Sequence, residues 1–423
     1  MTAAPSSAAT PRASIAQPIA AGIVGSLTGF ASSFALLIAG LQAVGATAAE
    51  AASGLLVLCV FQGLLAVGFS LRYRMPLSFA WSTPGAALLV AAKGLTDDFS
   101  AAVGAFLLCG VLLLATGLWS WLARAMTRIP KPIASAMLAG ILFPICVAPV
   151  LAVTGDTWAQ AIPVVLVWLI LARLAPRWAV PAAVVATAVV VGIAAGGNPL
   201  AGQSVVPTLR FVAPGVDVSV LVSLGIPLYV VTMAGQNVPG FAVLSTFGYD
   251  RPPARAMLAG TGIATIVGSV FGAYTLNLSA ITAAMMAGPD AHPDRSRRWI
   301  ATVTSGAFYV VFGLGASAAT ALVSASPPIL ITAIAGLALF GALVSAVTTA
   351  LEQPEHRLVA IITFLVVAAG VPVAGIGSAL WGLAVGGVVM LWLGWRRRPR
   401  PDAAAVEADG AEPEDPAAEK LPT

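Results

Sequence analysis

Charge is scarce in this chain, and where it occurs it keeps to the ends of long apolar runs. Only 9% of the 423 residues are Asp, Glu, Lys or Arg, against about 25% in soluble domains. That shortage excludes a soluble enzyme. No carboxylate, His, Lys or Arg lies in the middle of a run, which argues against a pump with an obvious proton relay. Cysteine is nearly missing too. Cys59, Cys109 and Cys146 sit inside apolar runs without metal-ligand spacing, which reads as packing and gives no disulfide framework. No nucleotide-binding or metalloprotease signature is visible, nor any nucleophile–base set, so no enzyme activity, cofactor or metal is expected. The first residues, MTAAPSSAATPRASIA, lack the basic head and apolar core of a cleavable signal peptide. The basic residues that give a pI near 9.2 are scattered singly, so nucleic acid is not an expected partner.

What is abundant is apolar surface. Hydrophobic residues make up 59% of the chain and the mean hydropathy is +0.95, so the expected class is an all-α polytopic membrane protein. Charge-free windows lie at 13–49, 51–71, 75–92, 99–123, 132–155, 157–172, 178–209, 218–249, 256–289, 299–351 and 358–395. A helix needs about 20 residues to cross a bilayer, so the last three windows each hold two passes. That predicts fourteen transmembrane segments. With the N-terminus inside, all of the 21 basic residues except Lys93 and Arg210 fall on the inner side, as cytoplasmic loops require. Both termini are then cytoplasmic. Residues 1–16 and 396–423 read as disordered tails.

The chain also repeats itself. IAGLQAVG at 38–45 matches MAGQNVPG at 233–240, and PIASAMLAG at 132–140 matches PILITAIAG at 328–336. The two offsets agree to within one residue, which chance similarity in an Ala- and Gly-rich chain rarely gives. The first repeat spans 17–196 and the second 218–395, joined by an extracytoplasmic loop at 197–217. Each holds seven passes, an odd number, so the second repeat must be inverted in the membrane. Inverted repeats are characteristic of secondary transporters, whose sites lie near the midplane where broken segments meet.

The third and tenth passes break the helical pattern. PLSFAWSTPGAALLVAAKG at 76–94 alternates large and small residues, then places Pro84-Gly85 where a spanning helix would be half-way across. Ser82 or Thr83 is a natural N-cap, with Pro84 at the first helical position. YTLNLSAITAAMMAG at 274–288 alternates likewise before turning helical. Each segment therefore reads as a short β-strand followed by a half-helix. Two helix starts meeting near mid-membrane would present free N–H groups and positive dipole ends to one point, an anion site.

The polar residues flanking those starts are Ser78, Ser82, Thr83, Asn277, Ser279 and Thr282. They can cap helices, touch a ligand, or do both. Gln236-Asn237 in the eighth pass are adjacent amides in a charge-free window, costly there unless partnered. They line the substrate path or bond between helices, as does Gln42, the repeat mate of this amide pair. Phe30, Phe34, Phe79, Trp81 and Tyr229 can wall an apolar pocket or simply pack; Phe34 and Trp81 stand closest to the expected crossing. Glu50, Asp97, Asp98, Asp156, Glu352, Glu355 and His356 read as solvated charge at pass ends.

PLSFAWSTPGAALL, VTMAGQNVPGFAVL and NLSAITAAMMAGPDAHPD together resemble the BenE family of benzoate/proton symporters, within the wider seven-plus-seven group that includes uracil permease. The resemblance covers residues 17–395. It implies a core domain (17–128 plus 218–324) moving against a gate domain (129–196 plus 325–395). It implies substrate between the third and tenth passes, at Ser82, Thr83, Gly85, Gln236, Asn237, Asn277, Ser279, Phe34 and Trp81. It further implies import of a small aromatic carboxylate with protons, a bacterial inner membrane, and leaves room for a homodimer. Uracil permease and its relatives carry a carboxylate on the eighth pass for binding and coupling; here that place reads Gln236-Asn237, so the proton-carrying group is unidentified. A nucleobase-type permease and a channel-like anion conductor are the alternatives. Saturable, gradient-dependent uptake distinguishes a carrier from a channel.

Overall fold

The computed structural model describes residues 15–127, 129–194, 206–373 and 375–394. Residues 1–14 and 396–423 of the expected tails, and 197–205 of the expected inter-repeat loop, lie outside the described residues. Ala16, assigned above to the tail, already belongs to the first helix.

Helices α1 (Ala16–Ala43) and α2 (Ala48–Tyr73) lead into strand β1 (Phe79–Trp81) and half-helix α3 (Thr83–Ala91). There follow α4 (Phe99–Leu118), the short α5 (Ser120–Thr127), α6 (Lys131–Thr154), α7 (Trp158–Leu174) and α8 (Pro176–Ala194). Next comes a helical stretch, Val218–Thr246, made of α9 (Val218–Val220), α10 (Ile226–Thr232) and α11 (Val238–Thr246). Two π turns, Leu221–Gly225 and Met233–Asn237, join its three parts. Then come α12 (Ala254–Ser269), strand β2 (Leu276–Leu278) and half-helix α13 (Ile281–Ala287). The described chain ends with α14 (Trp299–Leu314), α15 (Ala316–Ala325), α16 (Pro328–Leu351), α17 (Arg357–Ala368) and α18 (Ser378–Gly394).

Among the described residues seven helices are long and apolar enough to cross a membrane, or eight if α14 and α15, bent by 59°, make one span. That is fewer than fourteen passes would suggest. The reason lies in element length: α12 and α14 have 16 residues each and α17 has 12. The third and tenth segments are part strand. Large apolar side chains such as Leu64, Leu169, Val189, Leu365 and Trp392 stand exposed on the outside, the pattern of a protein solvated by lipid tails.

Three helix pairs form the interior: α2 against α14, α4 against α12, and α6 against α16. Small residues let the backbones approach, since apolar burial alone does not drive helices together in lipid. A methyl added at Gly306 would stand 2.7 Å from the Gly63 carbonyl, and one at Gly110 2.9 Å from the Ile266 nitrogen. Gly336 meets the Ile145 carbonyl in the same way. The turn before β2 needs glycine for a second reason. Gly272 has φ +86 and faces the Glu50 carbonyl, so a side chain there is strained by conformation and by contact.

Candidate functional site

The two strands pair antiparallel in the protein interior, with Phe79 opposite Leu278, Ala80 opposite Asn277 and Trp81 opposite Leu276. Further rungs run from Ser82 N–H to the Thr275 carbonyl (3.2 Å) and from Ser279 N–H to the Ser78 carbonyl (3.0 Å). A two-stranded ribbon has two free edges, and backbone N–H groups on those edges have no water to bond when they are buried. Here side chains from neighbouring helices supply the acceptors. On the β1 edge, Leu77 N–H donates to Ser70 Oγ (3.3 Å) and Trp81 N–H to Gln62 Oε1 (3.1 Å), both on α2. On the β2 edge, Leu276 N–H donates to Thr265 Oγ1 of α12 (3.1 Å) and Leu278 N–H to Asn237 Oδ1 (2.9 Å). Ala280 N–H reaches Gln236 Oε1 at 3.5 Å. The second π turn sets the amides at this edge, and π turns recur at functional sites.

Each strand hands over to a half-helix through a serine. Ser82 is the N-cap of α3, its Oγ accepting from Gly85 N–H (3.0 Å), with Pro84 in the first turn. Ser279, one residue before Ala280, the N-cap of α13, accepts from Thr282 N–H (3.1 Å) and from the Thr282 hydroxyl (2.6 Å). Ser82 is held on every side. Thr232 Oγ1 donates to its hydroxyl (3.0 Å) and the Tyr274 hydroxyl to its carbonyl (2.7 Å). A methyl on Gly85 would come within 2.7 Å of Leu228 and 2.9 Å of Ser82 Oγ, so this helix start is closely packed against α10.

One face of the ribbon carries Ser78, Ala80, Ser82, Thr275, Asn277 and Ser279, by the paired register. Asn277 Nδ2 donates to the Leu278 carbonyl (2.6 Å), while its Oδ1 and Ser78 Oγ are buried without partners. Buried polar atoms usually have partners, so two orphans on one face of a pair of strands mark a place where another polar group fits. The opposite face carries Trp81, whose indole N–H donates to Ser33 Oγ of α1 (2.9 Å). Its ring meets Phe30 at 6.1 Å and Tyr309 at 5.8 Å, both edge-on. Phe34 stacks on Phe30 at 5.1 Å.

The crossing thus brings Ser82, Thr83, Gly85, Gln236, Asn237, Asn277, Ser279 and Trp81 together. Phe34 joins one ring removed, and Phe30 is the ring that touches Trp81. Ser82 and Asn237 are fully buried and their side chains are engaged; Thr83 is half-buried and Gln236 is 9% exposed. Gln42 lies elsewhere, donating to Ser324 Oγ at the end of α15, and Tyr229 bonds Thr116 of α4. Sequence reasoning missed Gln62, Ser70, Thr265, Thr232 and Tyr274. Gln62 carried a usable signal, a lone amide inside the charge-free window 51–71.

Comparison with known proteins agrees with the transporter architecture. The chain matches the profile of the BenE family, described as benzoate membrane transport protein, over residues 13–392. It is 38% identical over 372 residues to the inner membrane protein YdcO of Escherichia coli K12, covering 87% of this chain and 93% of YdcO. It is 32% identical over 317 residues to a benzoate membrane transport protein of Acinetobacter baylyi, covering 75% of this chain and 80% of that one. Two solved structures share the fold. One is the transmembrane domain of the cyanobacterial bicarbonate transporter BicA, with TM-score 0.58 and 15% identity over 88% of this chain and 97% of that domain. The other is SLC26A9, with TM-score 0.60 and 12% identity over 92% of this chain and 67% of that one. At such identities the likeness is one of fold alone. A multi-pass membrane transporter rather than an enzyme, this chain belongs to the BenE family.

Proposed function

We propose that this protein carries benzoate or a related aromatic carboxylate across a bacterial inner membrane, together with protons, by alternating access. The carrier has fourteen segments in two inverted halves, 17–196 and 218–395, with both termini cytoplasmic. Helix pairing supports the symmetry. An offset near 196 maps α2 onto α12 and α4 onto α14, so the pairs α2–α14 and α4–α12 exchange with each other. The same offset maps α6 onto its own partner α16, and the ribbon pairs each strand with its mate, antiparallel as a two-fold axis requires. In this reading the core, 17–128 plus 218–324, rocks against the gate, 129–196 plus 325–395.

The observation that carries the reading is the pair of strand-to-helix handovers, Ser82–Gly85 and Ser279–Thr282, at one buried crossing. Helix starts favour anions, and α3 with its nine residues is the larger of the two. Thr83 and Gln236 contact the carboxylate; Ser82, Gly85, Asn237, Asn277 and Ser279 shape the place it enters. Trp81 and Phe34 give the ring an apolar wall. A nucleobase reading would use the amides to recognise base edges. Both amide oxygens are already turned to the β2 edge, which weighs against it.

The test is uptake of labelled benzoate into proteoliposomes, with and without an imposed pH gradient, competed by benzamide and acetate. Saturable uptake that the gradient drives and benzamide does not inhibit supports the reading. Benzamide competing as well as benzoate removes the anion site, and unsaturated flux makes the protein a channel.

A further inference from the structure

Arg298 sits immediately before α14 and is 8% exposed. Its Nε donates to the His292 carbonyl (2.7 Å), its Nη1 to the Ala287 carbonyl (2.6 Å) and its Nη2 to the Pro293 carbonyl (3.4 Å). None of these partners is a carboxylate. The two ion pairs among the described residues, Arg177 with Asp290 and Arg297 with Asp294, leave it out, and their side chains are well exposed. Asp294 is occupied with Ser296, whose hydroxyl and N–H both donate to it. Arg295 lies over the Tyr249 ring at 4.1 Å. A buried cation with no counter-charge is costly and is kept where it does something.

Its position says what that is. Ala287 is the last residue of α13, so the guanidinium covers the negative end of the half-helix whose other end begins at the crossing. Seven residues of helix are about 10 Å long. A helix that short offers little field of its own, because the effect resides in the terminal turns. With its far end neutralised by Arg298, α13 becomes the front of a unit of net positive charge. Exposed charges around the loop are screened by salt over about 8 Å, and a buried one much less.

We propose that Arg298 is the fixed counter-charge for the anionic substrate, acting on it through α13 from about 10 Å away rather than by contact. This rests on the anion-site reading above and names the residue that supplies its charge. Arg298 is a positioning residue in this sense, and its signature is dependence on ligand charge.

The experiment is equilibrium binding of labelled benzoate to detergent-purified protein, with benzamide as the neutral competitor. Arg298→Gln keeps hydrogen-bond donors and loses the charge. It should weaken benzoate about tenfold, the size expected of an unscreened charge at that distance, and change benzamide less than twofold. Arg298→Lys should restore most of the benzoate affinity. Should Arg298→Gln not be recovered folded, Arg298→Met, apolar and of similar length, takes its place. Equal losses for both ligands make Arg298 a purely structural clamp and overturn the inference. A wild type that prefers benzoate, with variants that keep the same preference, overturns the inference alone. A wild type that does not prefer benzoate to benzamide overturns the anion-site reading with it.

Discussion

The two arms of the crossing do the same work with different chemistry. In the first arm, β1 and α3 are held chiefly by hydroxyl groups and rings, with a single amide, Gln62, on the strand edge. Ser70 and Gln62 take the strand edge, Thr232 and Tyr274 hold Ser82, and Trp81 leans on Phe30, Tyr309 and Ser33. In the second arm, β2 and α13 are held by two amides, two hydroxyl groups and a buried cation: Asn237, Gln236 and Thr265 at the edge, Ser279 at the start of the helix and Arg298 at its far end. The first arm has a nine-residue helix capped by its N-cap serine, and the second a seven-residue helix whose N-cap residue, Ala280, has no side chain to offer. Symmetry of backbone therefore does not require symmetry of side chains. What must be conserved between the arms is that each buried N–H finds an acceptor, and any polar residue in reach of the edge can supply one.

The comparison breaks most sharply at Asn237. Asn237→Leu removes the acceptor for Leu278 N–H and the donor to Met233 Sδ, orphaning a backbone group where no water replaces the bond. A loss of about 3 kcal/mol is expected, seen as a lower melting temperature in detergent, together with loss of uptake. If the variant melts like wild type but no longer transports, Asn237 belongs to the substrate path and not to the strand edge.

That outcome would favour what the sequence suggested, and it shows where sequence reasoning stops. Period-two alternation in 76–82 and 274–280, with Pro84 behind the first, is a backbone property written in consecutive residues. It places strands where Phe79–Trp81 and Leu276–Leu278 stand. The pins are not consecutive. Gln62 meets Trp81 across 19 residues, and Thr265 meets Leu276 across 11. Which side chain reaches an edge depends on how α2 and α12 are rotated in their packing, and composition does not carry that. The sequence alone likewise does not distinguish Phe34 from Phe30, one turn earlier, which holds the ring contact with Trp81 while Phe34 stacks behind it. Arg298 reads in the sequence as one more basic residue of an inner loop, and only its burial sets it apart from Arg295 and Arg297.

A second way to sharpen the comparison is to remove each cap in turn. Ser82→Ala leaves Gly85 N–H unpaired and deprives Thr232 of its acceptor, so about 1.5 kcal/mol is expected. Ser279→Ala frees Thr282 N–H alone among backbone groups, and its helix is shorter, so about 1 kcal/mol is expected. Both should raise the half-saturation concentration for benzoate, Ser82→Ala more strongly, because α3 is the larger helix start. Equal shifts in affinity from the two variants would mean that the arms contribute equally and that the difference in helix length is immaterial.

The smallest effect on transport should come from Thr265, and it is the cleanest probe of the edge argument. Val has nearly the shape of Thr, so Thr265→Val keeps the packing of α12 and deletes only the oxygen that accepts from Leu276 N–H. Thr265 is 1% exposed, so water cannot take over, and the orphaned N–H should cost about 1 kcal/mol. Thr265→Ser keeps the oxygen and loses a methyl group, which costs about 0.8 kcal/mol in transfer terms. Stability alone does not separate the two variants well. Hydrogen exchange does, because only Thr265→Val unpins the strand: the Leu276 amide should exchange faster in that variant and as slowly as wild type in Thr265→Ser. Neither should alter the order in which benzoate, benzamide and acetate compete, since Thr265 holds the outer edge of β2 and is not among the residues proposed to meet the ligand. If Leu276 exchange is unchanged in Thr265→Val, the edges are not held by side chains, and the two arms differ only in their helices.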